Sequence, residues 1–249
     1  MDVHFLTYLT IGFFAQLVDG ALGMAFGVIS TTALLSFGLS PAHASALVHS
    51  AEVFTTGSSA VSHGLHRNIN RRLVVELAVA GSVGAIIGAY VLSNIDGRAM
   101  RPFVAAYLMV LGLSILLRAF RAAPESDVPP AFAGPLGIVG GFLDAIGGGG
   151  WGATVTSTLL GSGHAARMVI GSVNTAEFFV TLAAATTFFI ELGLTPVKAL
   201  VGLAAGGVIA APLGAYLARY VPARPLMTVV GLLVMGLAGI QIARSLKLF

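Results

Sequence analysis

The chain has 249 residues, of which 57% are hydrophobic and 9% are charged, and its mean hydropathy is +0.94. A soluble domain carries about a quarter charged residues, so the composition excludes a water-soluble globular protein and predicts an integral membrane protein. The net charge of +3 comes from basic residues that lie in short breaks between apolar segments, such as "HRNINRR" at 66–72. This pattern is typical of membrane loops and excludes a nucleic-acid-binding face.

Ten apolar segments follow one another along the chain. They cover about 4–18, 21–37, 42–63, 73–92, 100–120, 132–146, 150–162, 167–190, 196–218 and 224–246. In each group of five, the last three are long enough to cross a bilayer as helices, which takes about 20 residues. The first two are short and flank an Asp-Gly region, so they predict two spans, a re-entrant hairpin or one broken helix.

The sequence indicates an internal duplication. When the chain is shifted by 125 residues, residues 16–59 match 141–184 at 12 of 44 positions, and the matches include an aspartate and a glutamate at the same spacing. Apolar segments share leucines and glycines by composition alone, but they do not share carboxylates in this way. We therefore expect one membrane domain with a first repeat half at 1–120, a linker at 121–131 and a second half at 132–249.

The orientation of the two halves depends on how many times each crosses the membrane. Inverted halves place eight of the 13 basic residues on the cytoplasmic side, and parallel halves also place eight of 13 there. This count therefore does not distinguish the two arrangements. Glycine-broken segments at matching places are typical of transporters with inverted repeats. The expected fold is therefore all-α, with about eight to ten transmembrane or re-entrant helices in two inverted halves.

Two symmetric pairs of carboxylates lie deepest in apolar sequence, namely Asp19 with Asp144 and Glu52 with Glu177. A charged carboxylate at the centre of a membrane helix costs about 2.5–3.5 kcal/mol, so such residues normally face a protein interior or a water-filled cavity. His49 lies three residues before Glu52 and shares its helix face, and such a pair suits a proton relay. We expect these five residues to serve either proton coupling or helix packing.

Four consecutive glycines at 147–150 precede the single tryptophan, and a less glycine-rich copy lies at 19–27. Glycine costs about 1 kcal/mol relative to alanine in a helix, so the helix is expected to stop here and offer its amides to an anion. The tryptophan is either an interfacial anchor or part of a cavity wall. We expect these residues to bind substrate: Gly23, Gly27, Gly147, Gly148, Gly149, Gly150, Trp151 and Asn174.

The two breaks resemble those of the TauE/SafE family of membrane permeases, the sulfite exporter family. The resemblance rests on "DGALGMAFG" (19–27) and "DAIGGGGWG" (144–152), each followed by an alanine-glutamate motif at 51–52 and 176–177, and it covers about residues 10–245. It implies transport of small anions, especially sulfur oxyanions and organosulfonates. The first break lacks the glycine run, which predicts unequal roles, with the second break closer to the substrate.

The function we expect is secondary transport of a small anion, such as sulfite or sulfoacetate, across the inner membrane by alternating access, with protons as coupling ion. A passive anion channel and a non-transporting membrane scaffold are the alternatives. No catalytic motif, cofactor site or set of metal ligands is present in the sequence, so we expect no enzyme, cofactor or metal. The expected partners are the lipid bilayer, the anion, protons and, in a homo-oligomer, a second copy of the chain.

Overall fold

The computed structural model describes residues 3–22, 24–65, 67, 69–120, 132–161, 166–194, 196–217 and 223–246. These residues form ten α-helices and one π-helical turn, and they contain no β-strand. The expected all-α fold is confirmed. The expected linker at 121–131 lies outside the described residues, and the division into halves at that place stays a prediction.

The helices follow the apolar segments closely. In the first half they are α1 (Val3–Leu22), α2 (Phe26–Ser36), α3 (Pro41–Leu65), α4 (Arg71–Asn94) and α5 (Gly97–Arg118). In the second half they are α6 (Ala133–Gly147), a π turn (Gly152–Thr156) that continues into α7 (Ser157–Gly161), α8 (Ala166–Leu192), α9 (Val197–Leu217) and α10 (Ala223–Ser245). Each Asp-Gly region is thus a break between two shorter helical pieces.

Local sequence signals set several of the helix ends. Asn70 precedes α4, and its side-chain oxygen accepts a hydrogen bond from the Leu73 amide at 3.2 Å. Asp96 precedes α5 and accepts from the Arg98 amide at 2.9 Å. Such side chains satisfy amides that have no partner inside the helix. At the other end, Gly193 follows α8 with a φ of +80°, which is the left-handed conformation that commonly ends a helix.

Two helix pairs between the halves are packed through glycines. Helix α1 packs on α9, and α4 packs on α6. An added Cβ would collide with the backbone of the partner helix at Gly12 (Leu203) and Gly206 (Leu9) in the first pair, and at Gly84 (Ile138) and Gly141 (Gly81) in the second. Under the predicted duplication, α1 corresponds to α6 and α4 to α9, so the two pairs are equivalent. Small residues allow this close approach, which is how membrane helices associate.

The third helices of the two halves, α3 and α8, run antiparallel. Near the end of α3, Ser59 accepts a hydrogen bond at 3.3 Å from the Asn174 side chain near the start of α8. Nearer the start of α3, the ring of His49 lies 6.0 Å from that of Phe188, near the end of α8. Contacts that run in opposite directions along the two helices define the antiparallel arrangement.

The fifth helices show the same relation. At one end of the pair, the guanidinium of Arg224, the second residue of α10, lies 4.6 Å from the ring of Phe120, just after α5. At the other end, Arg101 of α5 and Arg244 of α10 line one cavity. Because the duplication equates α3 with α8 and α5 with α10, these antiparallel pairs support inverted halves. The duplication itself stays a prediction.

The outer helices carry an apolar surface. Within the described residues, four helical stretches have the length and composition to cross a membrane: Arg71–Asn94, Gly97–Arg118, Met168–Leu192 and Met227–Ser245. Many of their large apolar side chains are exposed, as lipid contact requires. The shorter pieces α2 and α6, with 11 and 15 residues, rise about 16 and 22 Å at 1.5 Å per residue, less than the roughly 30 Å of a bilayer core. The chain is a multi-pass membrane protein.

The glycine packing predicts the effect of Gly84→Ala. The added Cβ would meet the backbone carbonyl of Ile138, which cannot move aside as a side chain could. We expect a loss of about 1–3 kcal/mol of stability, the usual cost of overpacking, measured as a lower unfolding midpoint of the detergent-purified protein. Gly236→Ala in α10 is the matched control, because no atom lies within 4 Å of its added Cβ. Equal effects of the two substitutions would contradict the packing argument.

Candidate functional site

Asp19 holds the first helix break together. It lies near the end of α1, and its Oδ1 accepts hydrogen bonds from the amides of Ala25 at 2.7 Å and Phe26 at 3.1 Å, where α2 begins. A helix start leaves amides unpaired, and a carboxylate there satisfies them and also suits the positive end of the helix dipole. The aspartate is therefore a cap that reaches across the break.

Asp144 does the same at the second break. Its Oδ1 accepts a hydrogen bond from the Trp151 amide at 2.8 Å, seven residues further along the chain. The spacing equals that from Asp19 to Phe26, and Phe26 corresponds to Trp151 in the predicted duplication. The sequence left open whether these aspartates hold the backbone or carry a proton. In the structure both accept hydrogen bonds from backbone amides, and a role in carrying protons stays a prediction.

The glycine run forms the second break itself. Gly148, Gly149 and Gly150 have φ values of +71°, +136° and +137°, a region that other residues rarely adopt. The amides of Gly148 and Gly149 both donate to the main-chain carbonyl of Asp144, Gly149 at 2.9 Å. These two amides and the amide of Trp151 therefore all have hydrogen-bond partners within the protein. The polar backbone groups at this break are to that extent satisfied.

The two breaks meet inside the protein. Gly27 of α2 lies against Gly149, and a Cβ on either residue would collide with the other's backbone. Beside this contact, the Thr31 hydroxyl donates to the carbonyl oxygen of Gly148. The first half therefore satisfies part of the broken backbone of the second, which allows unwound chain to lie at membrane depth.

A cavity of about 20 Å³ lies where the breaks meet. This volume holds about one water molecule. Three predicted carboxylates line it together with backbone from both breaks and two threonines. The lining residues are Asp19, Met24, Ala25, Phe26, Gly27, Val28, Glu52, Thr55, Thr56, Gly150, Gly152, Ala153 and Glu177. The first break supplies more of this lining than the second.

Glu52 is the most constrained of the carboxylates. It lies on α3, is 4% exposed, and its Oε2 has no hydrogen-bond partner. Its Oε1 lies 2.8 Å from the place where a Cβ on Gly27 would be, and that Cβ would also lie 2.6 Å from the Cα of Gly149, so the backbone contact requires glycine at position 27. Glu177 of α8 faces the same cavity. Within the described residues, no group of three His, Cys, Asp or Glu side chains has a geometry that would hold a metal ion.

His49 pairs with Asp144 instead of Glu52. Its Nε2 lies 3.1 Å from Oδ2 of Asp144, and both side chains are buried. Its Nδ1 lies 2.9 Å from the Ser45 carbonyl, which only accepts, and the Ser45 hydroxyl donates to Ala145 at 2.6 Å. Nδ1 therefore carries a hydrogen, and Nε2 faces the carboxylate.

The remaining predicted residues lie around this site. Trp151 is fully buried, and its indole N–H donates to the Val173 carbonyl at 3.2 Å, so it is not an exposed interfacial side chain. Neither Trp151 nor Asn174 is among the residues that line the cavity. Gly147 lies against the ring of Tyr107. Gly23 falls outside the described residues.

Two supporting residues were missed by sequence reasoning. Tyr107 of α5 lies against both Gly147 and Gly150, so it covers the second break from the side. Arg118, at the end of α5, donates from Nη1 to the carbonyl of Ala153 at 2.8 Å, in the π turn beside the cavity. Both belong to no motif. The signal that the sequence offered for them was the hydroxyl of Tyr107 and the charge of Arg118 on an otherwise apolar helix.

Comparison with known proteins identifies the family. The family model described as "Sulfite exporter TauE/SafE" matches residues 8–242, which is most of the chain. The chain belongs to the TauE/SafE family. The resemblance read from the two breaks is thereby confirmed, and it supports a multi-pass membrane transporter. Placement in the inner membrane stays a prediction.

Two curated proteins are similar to this TauE/SafE chain. "Probable membrane transporter protein YtnM" of Bacillus subtilis (strain 168) is 44% identical over 218 residues, which cover 84% of this chain and 73% of the relative. "Probable membrane transporter protein ORF9" of Sinorhizobium sp is 24% identical over 194 residues, or 76% of this chain and 69% of the relative. No solved structure matches the chain significantly.

The bonds of Asp144 predict different effects for two substitutions. Asp144→Ala leaves the Trp151 amide and one nitrogen of His49 without hydrogen-bond partners. Each unpaired group should lower the free energy of unfolding by about 1–3 kcal/mol. Asp144→Asn keeps an oxygen for the amide and supplies an N–H to a neutral His49 ring, so its loss should be much smaller. Unfolding midpoints in detergent measure both. Equal destabilisation by Ala and Asn would show that charge, and not hydrogen bonding, holds the break.

Proposed function

We propose that this chain is a secondary transporter that moves a small anion across the cell's inner membrane by alternating access. The anion is a sulfur oxyanion or an organosulfonate, such as sulfite or sulfoacetate, and protons move with it. Membership of a family described as sulfite exporters supports the substrate class. The observation that carries the proposal is the cavity between the two breaks, because three carboxylates line it.

The carboxylates favour coupling to protons. Among the described residues that line the cavity, none is Arg, Lys or His. Several buried carboxylates that are all ionised would repel one another and any entering anion. One proton taken up at Glu52 or Glu177 would lower the repulsion and turn that carboxyl into a hydrogen-bond donor. In this proposal, anion and proton therefore bind together.

The anion itself would be held by neutral groups. The backbone at Gly27 and Gly150 lines the same cavity. The hydroxyls of Thr55 and Thr56 line it too, but both donate to the main-chain carbonyl of Glu52, at 3.3 and 2.6 Å, so each would turn away from that carbonyl to bind the anion. Hydroxyls and backbone amides are donors that bind oxyanions without a fixed positive charge. Loss of the proton would restore the negative charge of the cavity carboxylate and repel the anion. The anion would therefore leave on the side where the proton leaves.

The size of the cavity supports alternating access over a permanently open channel. It holds about one water molecule, whereas sulfite has four heavy atoms, so the site must widen to admit the anion. The contact between Gly27 and Gly149 joins the two halves beside the cavity. A change in the relative position of the halves therefore changes the cavity directly.

Proton coupling predicts a defined accumulation in proteoliposomes. One pH unit is worth 1.36 kcal/mol per proton, or a factor of ten. If the anion moves with one proton, the steady-state gradient of sulfite or sulfoacetate should grow about tenfold per pH unit, with the anion accumulating on the alkaline side. Radiolabelled anion in vesicles with an imposed pH gradient measures this. A gradient of the anion that is indifferent to pH would exclude proton coupling.

Substitutions should separate the coupling from the binding. Whichever of Glu52 and Glu177 takes up the proton, its substitution in Glu52→Gln or Glu177→Gln should give an accumulation ratio near one at every pH gradient, because glutamine cannot exchange the proton. Glu191→Gln is the matched control, since Glu191 is exposed on the same helix as Glu177 and does not line the cavity. If both cavity variants couple as the unmodified protein does, these glutamates do not carry the proton.

Binding can be followed without transport. Trp151 is the single tryptophan, and its backbone lies between the cavity-lining Gly150 and Gly152. We expect sulfite or sulfoacetate to change its fluorescence in a saturable manner. A channel would instead conduct without saturation, and a scaffold would give no response to any anion. Either result would favour that alternative over a transporter.

A further inference from the structure

A second cavity, of about 510 Å³, lies at the opposite end of α5 and α10 from the contact between Arg224 and Phe120. The start of α5, the end of α10 and the chain that enters α3 surround it. The polar side chains that line it are Arg98, Arg101, Arg244, Asp96, Ser40 and Ser245. It shares no lining residue with the carboxylate cavity.

The charge of this second cavity is positive. Its lining contains three arginines and one carboxylate, and Asp96 already accepts a hydrogen bond from the Arg98 amide at 2.9 Å as the cap of α5. Arg101 is held in place, because its Nη2 donates to the carbonyls of Gly38 at 3.2 Å and Leu39 at 2.8 Å. Within the described residues, none of the three arginines forms a salt bridge. The cavity therefore suits an oxyanion.

The surroundings of the cavity are apolar and exposed. Phe37, Phe103 and Leu246 each lie next in sequence to a lining residue, and they are 63%, 70% and 63% exposed. The cavity also lies where two of the four long apolar helices end. A soluble anion gains nothing from such a border, whereas a lipid places its acyl chains along it and its headgroup at the helix ends.

We propose that this cavity binds the phosphate headgroup of an anionic phospholipid, with Arg98 and Arg244 contacting the phosphate and Arg101 fixing the loop beside it. Basic cavities between membrane helices are suited to such headgroups. Arginine is also the side chain whose planar fork matches phosphate oxygens. The site is independent of the anion that the transporter moves.

The test uses the full chain purified in detergent and native mass spectrometry with added phosphatidylglycerol or phosphatidylcholine. We expect the unmodified protein to retain phosphatidylglycerol in preference to phosphatidylcholine. Arg98→Gln and Arg244→Gln should each weaken phosphatidylglycerol binding roughly fivefold, the effect expected for one basic residue at a membrane surface. Arg224→Gln, at the other end of α10, is the matched control and should bind as the unmodified protein does.

Several results would overturn the proposal. Equal retention of the two lipids would remove the role of charge, and a loss with Arg224→Gln as large as with Arg244→Gln would place the lipid elsewhere. Full competition by glycerol 3-phosphate would make the site one for a soluble oxyanion. Since the comparison of the two lipids needs no substitution, a variant that fails to fold does not prevent the test.

Discussion

A carboxylate that reaches across a gap in its own helix is the interaction on which the centre of this protein depends. Asp19 and Asp144 each accept a hydrogen bond from the amide seven residues ahead, at Phe26 and Trp151. An unpaired backbone group in the hydrocarbon region costs several kcal/mol. The two aspartates replace bonds that the breaks remove, so unwound backbone can persist between the helices and line a cavity.

The backbone shape of the two breaks determines which groups lie at the contact between them. Gly27 and Gly149 touch through their backbones, and this leaves Glu52 beside Gly27 with one carboxylate oxygen unpaired. Thr31 then satisfies the carbonyl of Gly148 from the other half. Neither break is complete without its neighbour, which is the physical reason why a change in the packing of the halves must reach the cavity.

Sequence reasoning predicted the helices well, because bilayer thickness fixes the length of an apolar segment. It also singled out the three carboxylates that line the cavity, since carboxylates in apolar sequence are rare, whereas Gly147, Trp151 and Asn174 do not line it. It paired His49 with Glu52 by helix spacing, whereas the structure pairs His49 with Asp144, 95 residues away. The contact of Tyr107 with the glycines also depends on how α5 packs, and no local pattern encodes it.

Under the predicted duplication, His49 corresponds to Asn174, and the two side chains have different partners. His49 forms a buried pair with Asp144, while the Asn174 amide donates to Ser59 and provides no cation for Asp19. Among the described residues, no basic side chain lies within 4 Å of Asp19. The uncompensated carboxylates are therefore those that face the cavity, so we infer that a proton taken up there alters the charge seen by an anion.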